Sequence, residues 1–127
     1  KEILKEVEKK AKQEFIVGHY RNNVIRVNVN NILYIENAKR GSKVTVCGDC
    51  EEAKFEGKIL LDDKLEVLSQ RYYSLCFAHS SYIININHID KIVNNEAYLD
   101  NGECLSVSRT YQKALRKHFT RSIADKY

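Results

Sequence analysis

The sequence has no proline, no methionine and no tryptophan, and it contains only five glycines in 127 residues. Its apolar runs are short, such as residues 59–61 and 82–84, whereas a membrane-spanning helix needs about 20 consecutive apolar residues. A transmembrane helix is therefore excluded. Because the sequence starts at Lys1 and lacks methionine, we expect it to be part of a longer protein whose start lies elsewhere.

Motifs that mark an enzyme are missing as well. No serine lies in a GxSxG elbow, no HxxxH or HExxH pair occurs, and no glycine-rich loop opens a predicted helix. The four histidines, His19, His79, His88 and His118, are scattered along the chain. We therefore expect a protein that is not an enzyme and that has no catalytic residues, no metal site and no cofactor.

The four cysteines do not have the spacing of a complete metal or redox site. Cys47 and Cys50 form a CxxC pair, but Cys76 and Cys104 are 28 residues apart, so a second pair for a four-ligand zinc site is missing. A thioredoxin-like CxxC opens a helix after a strand, whereas this pair lies between two predicted strands. Since no secretory signal is recognisable, we expect reduced thiols and a cytoplasmic location.

Charge is unevenly distributed in a composition typical of one globular domain. With 43% hydrophobic and 30% charged residues, the chain does not resemble a disordered tail, and its length suits a single core. The net charge is +4; residues 38–44 and 109–121 hold three and five cations without an anion, whereas residues 49–56 hold four anions and one cation. Such polarity can orient a domain over a polyanion, although a single charge run is also typical of a solvated face.

Hydrophobic periodicity predicts a mostly β chain after a short N-terminal helix. Residues 1–12 carry a narrow apolar stripe at helical spacing, which is typical of a linker helix or the tail of a preceding domain. The main domain is then expected over residues 13–127. Alternation with a period of two predicts strands at residues 15–18, 24–29, 32–35, 44–47, 53–55, 75–78, 82–84, 89–93, 97–99 and 104–107.

Two helices and one tight turn are predicted between and after these strands. Residues 59–70 have leucines at helical spacing and predict a short amphipathic helix. Asn101-Gly102 predicts a type I′ hairpin turn, in which both residues have positive φ. A C-terminal helix, capped by Ser108 or Thr110, is predicted from apolar residues at four-residue intervals, namely Tyr111, Leu115, Phe119 and Ile123.

Two polar segments are candidates for contact with nucleic acid. Residues 79–82 (HSSY) lie between two predicted strands and offer donors for phosphate or base edges, although such a turn can equally cap backbone groups. Arg109 follows a predicted strand and opens the basic C-terminal helix. Its planar guanidinium suits guanine O6 and N7 or a phosphate, and it is also compatible with a solvated helix start.

Five motifs, in order and spacing, resemble the LytTR family of DNA-binding domains, the output modules of many bacterial response regulators. They are residues 32–36 (ILYIE), 77–85 (FAHSSYIIN), 89–92 (IDKI), 101–103 (NGE) and 107–109 (VSR). The resemblance covers residue 15 to about residue 119. It implies an elongated, mostly β fold of about ten short strands in three antiparallel sheets with small helices.

In that family, loops rather than a recognition helix enter successive major grooves of duplex DNA. The resemblance implies base-reading roles for Ser42, Ser80 and Arg109 and a phosphate contact for His79. With neighbouring polar groups, it implies a DNA-binding set of Lys39, Arg40, Ser42, Lys43, His79, Ser80, Ser108, Arg109 and Lys113. Many relatives have a basic residue at the position of Phe77 and longer donors at those of Ser42 and Ser80, which shifts specificity toward Arg109 and DNA shape.

The function that the resemblance implies is sequence-specific binding of duplex DNA at promoter direct repeats by a bacterial transcription regulator. It implies a two-component response regulator that forms a homodimer mainly through an N-terminal receiver domain, with no membrane partner. Two other classes remain open. One is an OB-like binder of single-stranded nucleic acid, for which the eight tyrosines leave room; the other is a protein-binding β module that uses the acidic residues 49–56.

Overall fold

The computed structural model describes residues 14–126, with side chains up to residue 124. The helix predicted over residues 1–12, and the domain boundary next to it, lie outside the described residues. Ten strands are present: β1 (Phe15–Tyr20), β2 (Asn23–Asn28), β3 (Ile32–Asn37), β4 (Ser42–Val46), β5 (Leu60–Leu61), β6 (Leu75–His79), β7 (Tyr82–Asn85), β8 (Ile89–Val93), β9 (Glu96–Leu99) and β10 (Cys104–Ser106). The helices are α1 (Leu65–Arg71), α2 (Arg109–Lys126) and the 3₁₀ helices Val29–Asn31, Glu51–Phe55 and Ile86–His88.

The strands form two antiparallel sheets, which confirms the mostly β fold expected from the sequence. The larger sheet has seven strands in the order β2-β1-β5-β4-β3-β7-β6, and the smaller has the order β10-β9-β8. The resemblance implied three sheets, and the difference has a simple cause. Leu60 and Leu61 in β5 pair with β1 on one side and with β4 on the other, so this two-residue strand joins the β1–β2 hairpin to its neighbours.

Two hydrophobic cores hold the sheets and helices together. One lies against α1 and includes Leu65, Leu68 and Ile83, and the other lies against α2 and includes Ile84 and Leu115. Ile83 and Ile84 are neighbours in β7 and point to opposite faces of the strand, so β7 is buried on both sides. Burial of each such side chain stabilises the fold by roughly 1.5–3 kcal/mol. Burial on both faces therefore holds β7, and with it the turn that precedes β7, in a fixed position.

Two predictions of secondary structure were wrong between residues 51 and 70. The segment expected to form a strand at residues 53–55 is part of a 3₁₀ helix, because the carboxylate of Glu52 accepts hydrogen bonds from the Asn28 backbone N–H and the Asn31 side chain. The helix expected over residues 59–70 begins only at Leu65. The preceding leucines instead pair as β5 with strands on both sides.

The β9–β10 hairpin was predicted correctly, but its turn is of another type. Gly102 has a φ of +95°, whereas Asn101 is not among the residues with positive φ. The Gly102 N–H donates to the Leu99 carbonyl at 3.0 Å, and Leu99 and Glu103 flank a three-residue loop. A single residue with positive φ at the end of such a loop is the usual arrangement when a type I turn is followed by a bulge.

The C-terminal helix was also predicted, and α2 begins at Arg109. Of its apolar residues, Leu115 is buried in the second core, Tyr111 and Phe119 are partly covered, and Ile123 is exposed. Within residues 14–126, no helix has both the length and the apolar character that a bilayer crossing requires.

Candidate nucleic-acid interface

Three connections meet at one edge of the large sheet. The Asn37 backbone N–H, at the end of β3, donates to the Ser81 carbonyl at 2.9 Å, and the Asn37 side-chain amide reaches the Ser80 carbonyl at 3.4 Å. On the other side, the Ser108 N–H donates to the Ala78 carbonyl at 2.8 Å. The β3–β4 loop, the β6–β7 turn and the start of α2 are therefore neighbours, in that order.

The β3–β4 loop presents two basic side chains, Lys39 and Arg40, both of which are exposed. Its shape depends on Gly41, which has a φ of +69°. A Cβ atom at Gly41 would lie 1.9 Å from the backbone oxygen of Leu61. Only glycine fits this approach between the loop and β5, and the fit fixes the path of the loop that carries the two cations.

Ser42, for which the resemblance implied base reading, has its hydroxyl turned into the protein. Its side chain is fully buried, and its Oγ donates to the Asp63 carbonyl at 2.7 Å. This bond ties the start of β4 to the bend before α1, so Ser42 shapes the loop from inside the protein. Lys43, the next residue, points to the opposite face of β4 and is exposed, beside Glu36 of β3.

The β6–β7 turn fixes the orientation of His79. Its Nδ1 accepts the Ser81 backbone N–H at 3.1 Å, and its ring stacks on Tyr82 with centroids 5.2 Å apart and an interplanar angle of 12°. Since Nδ1 is an acceptor, the proton of a neutral ring is assigned to Nε2. His79 can therefore offer an N–H donor at its outer edge, and Ser80 is exposed at the tip of the turn.

Tyr82 links this turn to the start of α2, a role that the sequence did not reveal. Its hydroxyl donates to the Ser106 carbonyl, three residues before Arg109. Burial, together with the negative charges of Cys104 and Glu36 in their ionised forms, raises the pKa of Tyr82, so the phenol remains protonated and keeps donating. The motif signalled only an aromatic residue after the two serines.

The start of α2 exposes Arg109 and, one turn later, Lys113. Ser108 was expected among the DNA-binding residues and as a possible helix cap, and the structure supports neither role for its hydroxyl. The Ser108 Oγ is buried and has no hydrogen-bond partner among the described residues. The first turn of α2 contains no acidic residue, so the positive end of the helix dipole adds to the charge of Arg109.

Five basic side chains along this edge form no ion pair with any described residue. The ion pairs between described side chains are His19–Asp62, Arg71–Asp63 and His88–Asp100, and none of them involves Lys39, Arg40, Lys43, Arg109 or Lys113. A row of exposed cations without partners gives the edge a positive potential that attracts a polyanion.

Two cysteines, Cys47 and Cys76, carry thiols whose surroundings raise their pKa. Burial, with the neighbouring Cys50 and Asp49, raises the pKa of Cys47 to about 12, and the Cys50 thiol donates to the Cys47 carbonyl at 3.0 Å. Burial also raises the pKa of Cys76 to about 11. Across residues 14–124, no three side chains of the metal-binding types His, Cys, Asp and Glu are grouped closely enough to hold a metal ion.

Comparison with known proteins gives a consistent family assignment. The chain is similar to a solved LytTr DNA-binding domain of a putative methyl-accepting/DNA response regulator from Bacillus cereus, with a TM-score of 0.62 and 21% sequence identity over 84% of this chain and 97% of that one. A search of curated protein sequences found no significant match. The family model described as the LytTr DNA-binding domain matches residues 22–120. The chain therefore belongs to the LytTR family of DNA-binding domains.

Proposed function

We propose that this chain binds specific sequences of duplex DNA as the output domain of a bacterial transcription regulator. The observation that supports this most directly is the edge at which the β3–β4 loop, the β6–β7 turn and the start of α2 meet, with five cations that have no ion-pair partner among the described residues. The regulator would be a two-component response regulator acting in the cytoplasm, with a homodimer formed through a receiver domain, at direct repeats in promoters.

Different side chains of this edge suit different parts of DNA. Lys39, Arg40 and Lys43 end in flexible or exposed cations that suit phosphates. The Nε2–H of His79 also suits a phosphate oxygen, because the stack on Tyr82 leaves only its outer edge free. Arg109 has the planar fork that matches guanine O6 and N7, and its backbone position is fixed by α2.

The width of the edge fits a mode in which separate loops reach separate parts of the duplex. From β4 to β6 the sheet order crosses three strand spacings, or about 14 Å at about 4.8 Å each, and the start of α2 is joined to β6 through Ser108 and Ala78. A B-DNA major groove is about 12 Å wide. The whole edge is therefore too wide for one groove, which favours insertion of individual loops into successive grooves with contacts to the phosphates between them.

The two alternative functions receive less support. An OB-like binder requires a closed or nearly closed barrel, whereas the large sheet is open, with β2 and β6 at its ends. The acidic segment at residues 49–56 was the basis for a protein-binding module. One of its carboxylates, that of Glu52, is buried and bound internally to Asn28 and Asn31, which leaves a smaller acidic surface.

The test is a set of affinities measured by fluorescence anisotropy for three probes. They are a duplex selected by the protein from a randomised library, a duplex of scrambled sequence, and the single strand of the selected duplex. We expect the selected duplex to bind most tightly, with a log affinity that falls linearly with log salt as expected for about 4–8 phosphate contacts. Preference for the single strand, or no dependence on salt, would refute the proposal.

A further inference from the structure

The β8–β9 turn, Asn94-Asn95, lies beside the proposed interface, although nothing in the sequence motifs marks it. The Val107 backbone N–H donates to the Asn95 carbonyl at 2.7 Å, and the next residue, Ser108, donates to Ala78 of β6. The turn is therefore attached to the segment that leads directly into Arg109.

Two side chains of α2 hold this turn in place. Gln112 donates through Nε2 to the Asn94 carbonyl at 2.7 Å and also to Oδ1 of Asn95. Arg116 donates through Nη2 to the same Asn94 carbonyl at 2.7 Å. With 3.6 residues per turn, Gln112, Lys113 and Arg116 are rotated by about −60°, +40° and −20° from Arg109. The turn thus lies on the face of α2 that carries Arg109 and Lys113.

The side chain of Asn94 is the group on this turn that is available to a partner. Asn94 is exposed and has a φ of +55°. Its backbone carbonyl is occupied by Gln112 and Arg116, and its carboxamide has no hydrogen bond to any described residue. A free carboxamide has a donor and an acceptor side by side, the pattern that pairs with N6 and N7 of adenine in the major groove.

The charge around the turn favours approach to DNA. Arg116 is bonded to a neutral carbonyl, so its positive charge is not compensated by that contact. The nearest acidic residue in sequence, Glu96, has one carboxylate oxygen bound to the Tyr98 hydroxyl at 3.0 Å, which draws it along β9. The turn therefore combines a rigid backbone, a local cation and a free amide.

We propose that the β8–β9 turn is a fourth DNA-contacting segment, in which the Asn94 carboxamide reads the edge of an adenine next to the position contacted by Arg109. Gln112 is a positioning residue that holds the turn. This inference rests on the proposed function, since it assumes that the edge containing Arg109 faces duplex DNA.

The principal variant is Asn94→Gly, because glycine accepts the positive φ of this position without strain while removing the carboxamide. The control is Asn22→Gly, the same replacement in another two-residue turn. Asn22 is an exposed residue of the β1–β2 turn. Gly18 of β1 is level with Ser42 at the start of β4, because both pair with Leu61. From Gly18, β1 runs away from the proposed interface, so its turn lies at the far ends of the strands. Circular dichroism and urea unfolding are used to check that each variant is folded.

Affinities are measured for the selected and the scrambled duplex at one salt concentration. We expect Asn94→Gly to weaken binding to the selected duplex about 5- to 150-fold, the range of a bidentate base contact, and to leave the scrambled duplex nearly unaffected. Asn22→Gly should change neither. An equal loss on both duplexes, or no loss on the selected one, would overturn the inference.

Gln112→Ala tests the positioning role. Alone it should lower affinity for the selected duplex by a smaller factor than Asn94→Gly, and in combination with Asn94→Gly it should add nothing, because its effect acts through the same side chain. Additive effects would show that Gln112 acts elsewhere. If Arg109→Ala discriminates between the two duplexes while Asn94→Gly does not, the proposed function stands and only the fourth segment is wrong.

Discussion

Gly41 is the residue on which the shape of the β3–β4 loop depends, and replacing it with alanine should damage both folding and DNA binding. A Cβ atom would lie 1.9 Å from the Leu61 oxygen, whereas a carbon and an oxygen in contact are about 3.3 Å apart. The loop and β5 would have to separate by more than 1 Å. That shift breaks the fit that places Ser42 Oγ at 2.7 Å from the Asp63 carbonyl.

Gly57 provides a matched control, since its φ of +70° is nearly the same as that of Gly41, but a Cβ atom there would meet nothing within 4 Å. Alanine at Gly57 therefore adds only the cost of the left-handed conformation, about 1–2 kcal/mol. Alanine at Gly41 adds the same cost plus the loss of a buried hydrogen bond and strand pairing, about 2–4 kcal/mol more.

The assay is urea unfolding followed by circular dichroism for wild type and both variants, together with affinity for the selected duplex under conditions where all three are folded. We expect Gly41→Ala to be the less stable variant and to bind the duplex more weakly, because Lys39 and Arg40 are displaced. If the two variants are destabilised equally, the close contact with Leu61 does not control the shape of the loop.

Three further predictions concern single side chains. Arg109→Ala should cost about 1–3 kcal/mol on the selected duplex and less on a scrambled one, with incomplete rescue by Arg109→Lys; an equal loss on both would make Arg109 a phosphate contact only. Lys43→Ala should weaken both duplexes alike and reduce the salt slope by about 1, and a loss restricted to the selected duplex would contradict this. Burial acts to raise the pKa of Glu52, but the hydrogen bonds from Asn28 and Asn31 outweigh it and hold that pKa below its usual value. Glu52→Gln should therefore lower the free energy of unfolding at pH 7 by about 1–2 kcal/mol, and this difference should shrink as pH falls below about 5; urea titrations that give a constant difference would refute it.

Strands with clear alternation were predictable from the sequence, because a period of two requires only local residues. The exceptions are segments whose conformation is set by distant partners. Leu60 and Leu61 were predicted to belong to a helix. They form a strand because they pair with β1 on one side and β4 on the other. Residues 53–55 read as a strand, and they form a 3₁₀ helix in which Glu52 is bound by Asn28 and Asn31.

Within the candidate site, the sequence identified the exposed cations more reliably than the hydroxyls. Ser42 was predicted to read bases because of the resemblance to the family. It shares a face of β4 with the buried Val44. Strand alternation alone therefore predicts that Ser42 points inward and Lys43 outward. Ser108 offers no such signal. Its Oγ is buried in a segment whose backbone is bonded to β6, a strand distant in sequence.

The arrangement of the loops at one edge of the sheet is the part of the site that was not predictable from the sequence. Asn37 meets Ser81, Ser108 meets Ala78 and Val107 meets Asn95 through backbone N–H and carbonyl groups, which nearly every residue possesses. Such bonds do not depend on residue type, so the sequence can indicate which loops bind DNA but not which loops are neighbours in the fold. At the β8–β9 turn, by contrast, two side chains hold the backbone, because Gln112 and Arg116 both donate to the Asn94 carbonyl. Replacing these side chains can therefore test whether the position of this turn affects how the domain binds DNA.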